Sequence, residues 1–195
     1  MPVNRRVLGA SIAAALAISV IGGYALSRRN GDSGNADDVD VVLDTPGIEQ
    51  VPGISVNAEV EGEALPIVDL VDNDGSTIST ADLLGQPLIM NYWFSTCVPC
   101  KKELPAFATV HAELGDRIRF VGVNPVDTPE VNESFARERG VQYELLRDPD
   151  GAFTDAVGIA NAPVTLFIAA DGTIVRQTAV LDVDELRSYA QELAG

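Results

Sequence analysis

Histidine occurs once in this chain of 195 residues and cysteine twice, so the side chains that most often hold a transition metal are nearly missing. A structural zinc site asks for about four ligands. Cys97, Cys100 and His111 fall short of that number, and neither a metal nor any other cofactor is expected. Two cysteines three positions apart also leave no scattered set from which a disulfide framework could form. Basic residues are few as well: 13 Lys and Arg stand against 29 Asp and Glu, for a net charge of −16. Such a chain repels a phosphate backbone instead of neutralising it, which excludes nucleic acid as a partner. Between Asn30 and Cys100 there is no Lys or Arg at all. No internal repeat is visible, so the fold is not built from stacked copies of one unit.

What the sequence does contain is apolar material, 46% of residues, enough for one compact domain of about 100–200 residues with an appendage. Residues 1–29 hold an uncharged run from Val7 to Leu26 behind Arg5 and Arg6. At about 1.5 Å per residue, a helix over that run spans the ~30 Å of a bilayer core, and it is read as a membrane anchor. The alternative is a cleaved signal peptide, with Ala25 and Ser27 as the small residues of the cleavage site. The stretch Asn4-Arg5-Arg6-Val7-Leu8 resembles part of a twin-arginine export signal. Arg28 and Arg29 weaken the charge asymmetry across the helix, but nothing basic follows them to hold the chain in the cytoplasm. The expected arrangement is a single pass through the cell membrane with the domain outside the cytoplasm, or a secreted domain if the segment is removed. Residues 30–53 mix Gly, Ser, Asn and Asp without periodicity and read as an acidic flexible tether, which anionic headgroups repel. Residues 54–195 are the expected folded domain.

Within that domain, strand and helix signals alternate. Ile67–Val71 reads as a strand, Asp72-Asn73-Asp74-Gly75 as a turn, and a second strand follows near Ile78. Ser79 and Asp82 form a capping pair for a short helix ending at Gly85, and Leu88–Trp93 reads as a buried strand. A helix over about Cys100–Leu114, with a kink at Pro105, leads to a strand Arg119–Val123 and a helix opened by Thr128 and Pro129 and closed by Gly140. After Asp148-Pro149-Asp150-Gly151 and a short helix come strands Val164–Ala169 and Thr173–Gln177, joined by Asp171-Gly172. The terminal helix is capped by Asp182 with Glu185 and turns Val183, Leu186, Ala190 and Leu193 to one face. Strands interleaved with helices predict a three-layer α/β domain.

The two cysteines fall at the junction between the buried strand and the long helix. A dithiol that cycles with a disulfide needs two sulfurs close enough to bond and one of them ionisable, because the thiolate is the nucleophile. With the helix starting near Cys97, that sulfur meets unsatisfied N–H groups and the positive end of the helix dipole, which lowers its pKa. Cys97 is thus the expected attacking thiol and Cys100 the resolving one. Pro99, in the first turn, removes no helical hydrogen bond and stiffens the loop between them.

The segment Asn91-Tyr92-Trp93-Phe94-Ser95-Thr96-Cys97-Val98-Pro99-Cys100-Lys101-Lys102-Glu103-Leu104-Pro105 resembles the active-site segment of the TlpA/ResA family of thioredoxin-like proteins. The similarity runs from about Leu65 to the C-terminus and takes in Val121-Gly122-Val123-Asn124 and Asp148-Pro149-Asp150-Gly151. It implies a thioredoxin-like fold with a central mixed sheet. It also implies an enzyme, a thiol–disulfide oxidoreductase acting on protein cysteines, often those of apocytochromes or copper proteins, with a membrane or extracytoplasmic redox partner. Pro163 aligns with the family's cis-proline; periodicity alone would make it a trans proline opening a strand. Glu103, one turn after Cys100, resembles the family's active-site glutamate, able to raise thiol pKa values and relay the proton of Cys100; the alternative is a surface glutamate balancing Lys101 or Lys102. Trp93, Thr96, Val98, Pro99 and Ala162 are the expected substrate contacts. Thr96 departs from the pattern, since many relatives carry tryptophan there. Trp93 and Phe94 would replace some of that apolar surface, although packing under the strand is their commoner use. His111 is assigned no role.

Three other functions compete. A disulfide-forming oxidase would run the same chemistry in reverse, although Pro99 resembles the motif of reducing members. A peroxiredoxin-type peroxidase needs a Thr three residues before the reactive cysteine, where Phe94 stands. A copper-binding module would use both sulfurs and His111.

Overall fold

The computed structural model describes residues 56–195. The expected anchor over Val7–Leu26, the tether over 30–53 and the first two residues of the expected domain lie outside the described residues. Among the described residues no helix is long and apolar enough to cross a membrane.

Seven strands form one mixed sheet in the order β2-β1-β5-β4-β3-β6-β7. The strands are β1 (Asp69–Asp72), β2 (Thr77–Ser79), β3 (Leu88–Tyr92), β4 (Arg119–Asn124), β5 (Glu144–Arg147), β6 (Val164–Ile168) and β7 (Ile174–Thr178). The central trio β3-β4-β5 is parallel, while β1, β2, β6 and β7 each run antiparallel to their neighbours. Four helices complete the domain: α1 (Val98–Leu114), α2 (Pro129–Arg137), α3 (Ala152–Val157) and α4 (Val183–Ala194).

The alternation of side chains along a strand sorts them into two cores. On one face Ile89, Trp93, Phe120 and Phe167 meet Leu104, Phe107 and Val110 of α1, Ala136 of α2, and Leu186 and Ala190 of α4. On the other face Leu88, Met90, Tyr92, Val121, Val123, Val164 and Leu166 meet Phe153 and Val157 of α3. Sheet between two helical layers is the three-layer arrangement expected from the sequence.

Local chemistry explains where elements start and stop. Asp72 closes the β1–β2 hairpin, its carboxylate accepting from the amides of Asp74 (2.9 Å) and Ser76 (2.8 Å), while Gly75 takes φ 90°. Ser79 caps the short helix expected there, which covers Thr80–Leu83 and is of the 3-10 kind. Asp182 accepts from the amides of Asp184 and Glu185 at the start of α4, and Glu185 reciprocates onto the Asp182 amide at 3.1 Å, so that capping box forms as expected. Helix α1 continues as one helix through Pro105. β5 is not apparent in the sequence because Glu144-Leu145-Leu146-Arg147 has charged ends and no clean alternation. Those charges are answered by neighbours: Arg119 of β4 pairs with Glu144 at 2.8 Å, and Arg147 donates to the Asp72 carbonyl at 3.4 Å.

The stretch Asn57–Leu65, before β1, forms a strap along β7 and the end of α3. Gly62 donates to the Ile174 carbonyl (2.8 Å), and Ile174 donates back to that of Glu63 (2.9 Å). Gln177 holds the strap with its side chain, accepting from the Val60 amide (3.1 Å) and donating to the Ala58 carbonyl (2.9 Å).

Candidate active site

Strand β3 ends at Tyr92, and Trp93-Phe94-Ser95-Thr96 carries the chain over the sheet edge to Cys97, the N-cap of α1. Cys97 suits that place: its backbone is extended and its sulfur accepts from the Cys100 amide at 3.3 Å, satisfying one of the amides that a helix start leaves open. The two cysteines are joined by a disulfide, with Cα atoms 5.3 Å apart. They differ in access. Cys97 retains 6% exposure, whereas Cys100 is fully buried behind it. The Cys97 sulfur thus lies at the solvent side of the helix start, at the positive end of the helix dipole.

The loop before Cys97 is tied down by a residue the sequence did not disclose. Asp127, in the loop after β4, accepts from the Ser95 amide and the Ser95 hydroxyl, each at 2.7 Å, and from the Asn124 side chain at 2.8 Å. Asn124 in turn accepts from the Val126 and Asp127 amides.

Glu103 is 2% exposed, which removes the reading of it as a surface partner for Lys101 or Lys102. One carboxylate oxygen accepts from the Asn91 side chain at 3.1 Å, the other from the Leu181 amide at 3.3 Å. Burial pushes its pKa up to about 7, with those two hydrogen bonds offsetting part of the effect. Asn91 was visible as a polar residue in an otherwise apolar strand, and such a residue signals a buried partner. Tyr143 lies in the same core cluster, its hydroxyl buried and unpaired, and burial and then the Glu103 charge push its pKa up strongly.

The remaining expected site residues divide by burial. The Ala162–Pro163 peptide bond is cis, and Pro163 is buried. Thr96 and Val98 are exposed and Pro99 and Ala162 half-buried. Trp93 is fully buried, its ring stacked on Phe135 at 5.6 Å, so it packs beneath the site and offers no surface to a partner. His111 is wedged edge-on against Phe120 and Tyr143 on the far part of α1. A groove of about 450 Å³ opens beside the dithiol, lined by Phe94, Thr96, Cys97, Pro99 and the Ile159–Ala162 loop, with Tyr92 and Thr154 also contributing. None of these described lining residues carries a charged side chain. Among the described residues no group of three or more His, Cys, Asp or Glu is placed to hold a metal ion.

The AhpC/TSA family model matches residues 61–185, well over half of the chain. The chain belongs to the AhpC/TSA family. Its relatives include the thiol-disulfide oxidoreductase ResA of Bacillus subtilis, 30% identical over 117 residues, or 60% of this chain and 65% of ResA. The match thus spans just under two-thirds of that relative's length. The sporulation thiol-disulfide oxidoreductase A of the same organism is 29% identical over 147 residues, covering 72% of this chain and 88% of that one. Among solved structures, a secreted Mycobacterium tuberculosis disulfide oxidoreductase homologous to E. coli DsbE matches 65% of this chain and 96% of its own, with a TM-score of 0.58 and 26% identity. The thioredoxin-like α/β fold with a mixed sheet, and the resemblance that led to it, are borne out by these AhpC/TSA relatives.

Proposed function

We propose that this chain is a thiol–disulfide oxidoreductase that exchanges the Cys97–Cys100 pair with cysteines of partner proteins, working as a reductase outside the cytoplasm. The observation that carries the reading is the asymmetry of the pair: one sulfur at a helix N-cap facing an uncharged groove, the other sealed behind it. In the reduced domain the Cys97 thiolate attacks a sulfur of the substrate disulfide, forming a mixed disulfide and expelling one substrate thiolate. Cys100 then loses its proton and attacks the Cys97 sulfur, expelling the second substrate thiolate and closing the Cys97–Cys100 disulfide. Two electrons pass to the substrate, and a redox partner returns them. Glu103, with a pKa of about 7, is suited to take up and return the Cys100 proton near neutral pH. Thr96, Val98, Pro99, Ala162 and Pro163 would contact the substrate backbone.

The extracytoplasmic placement rests on the apolar run Val7–Leu26 and the lack of basic residues between Arg29 and Cys100. Reduction as the direction, and apocytochrome or copper-protein cysteines as the target, rest on the family resemblance. Phe94 at the position where peroxide chemistry needs a threonine speaks against a peroxidase.

Trapping tests the assignment of the two sulfurs. Cys100→Ser should accumulate mixed disulfides with partner proteins, and Cys97→Ser should form none, as read on non-reducing gels. Equal trapping through both variants would overturn the division into attacking and resolving thiol.

A further inference from the structure

We propose that Asn57 is a positioning residue for the substrate groove, a role that rests on the thiol–disulfide exchange reading above. Its side-chain oxygen accepts from two successive amides, Ala160 (2.7 Å) and Asn161 (2.8 Å), and its amide nitrogen donates to the Asn161 carbonyl at 3.1 Å. One side chain thus holds the backbone of the loop that forms the groove wall opposite Cys97 and runs on into the cis Ala162–Pro163 bond. The hold continues one residue on, where Ala58 donates to the Gly158 carbonyl at 2.9 Å. Strap and loop are in close contact there: a Cβ on Gly158 would stand 2.7 Å from that of Ala58. Asn57 touches neither sulfur. Its effect on exchange would pass through the loop that a polypeptide substrate must lie against, and not through the nucleophile.

Substrate size separates these routes. Reduction of insulin by the full-length chain requires docking of a polypeptide, whereas reduction of 5,5′-dithiobis(2-nitrobenzoic acid) requires only the Cys97 thiolate. Asn57→Ala should raise KM for insulin about two- to tenfold, the scale of one or two hydrogen bonds, with kcat and the rate on the small disulfide unchanged. Asn57→Asp keeps an acceptor for both amides but sets a carboxylate oxygen against the Asn161 carbonyl in place of a donor, so it should recover only part of the insulin KM. Insulin kinetics of Asn57→Ala that superimpose on wild type, or an equal loss on both substrates, would overturn the proposal. Failure of the unmodified chain on both disulfides would instead remove the exchange reading itself.

Discussion

Glu103 shows how a single side chain can set the pH behaviour of a domain. Its carboxyl is buried against the sheet with two donors, and burial outweighs them, so its native pKa rises from the usual 4.5 to about 7. Between those values the native state holds a proton that the unfolded chain has released, so stability falls as pH rises through that window and the full cost is present above about 7. A displacement of that size corresponds to on the order of 3 kcal/mol. Urea unfolding of the disulfide form, in which neither cysteine titrates, measures it directly. Glu103→Gln keeps the shape and cannot ionise. The difference in stability between variant and wild type should therefore grow from pH 4.5 to pH 8 in favour of the variant. A constant difference across that range would mean that Glu103 is ionised in the native state as it is in the unfolded chain, with no upward shift. Sequence spacing put this carboxylate near Cys100, but not in the core: that depended on Asn91 and the Leu181 amide, 12 positions before it and 78 after it in the chain.

At the scale of elements, β4 carries its most demanding residue in the middle. A Cβ at Gly122 would lie 2.8 Å from Trp93 Nε1, 3.0 Å from Leu145 Cδ2 and 3.3 Å from Tyr143 Cε2, all side chains fixed by a packed core. Gly122→Ala should destabilise the domain by about 1–3 kcal/mol through overpacking. Trp93 is the only tryptophan of the chain, so its fluorescence reports both the unfolding midpoint and the disturbance beside it. An unaltered midpoint would show that β4 and Trp93 separate without cost. The elements legible in the sequence were those whose signals are local: the buried strand ahead of Cys97, the Pro99 and Pro129 helix starts, and the Asp182–Glu185 box. β5 was not legible, because its charged ends are answered across the sheet by Arg119 and Asp72. The Asp127 clamp on Ser95 was hidden for a related reason, since it joins loops 32 positions apart. The cis bond before Pro163 was read from the family resemblance and not from any local pattern.

For the whole molecule, the chain should present its dithiol on the outer side of the membrane. Intact cells treated with a mild reductant and an impermeant thiol reagent are expected to show modified Cys97. Modification only after the membrane is ruptured would place the domain inside. The strap over Asn57–Leu65 has a consequence beyond the groove. β7 is the last strand of its side of the sheet, and an open edge strand offers unpaired amides and carbonyls to any other chain. Gly62 and Glu63 occupy both backbone groups of Ile174, Leu65 bonds the Gly172 carbonyl at 2.8 Å, and the Glu61 carboxylate takes the Gln177 amide at 2.7 Å. At the opposite side β2 extends for only three residues. A sheet closed off in this way gives little template for strand addition, so neighbouring copies are guarded against zipping edge to edge into polymers.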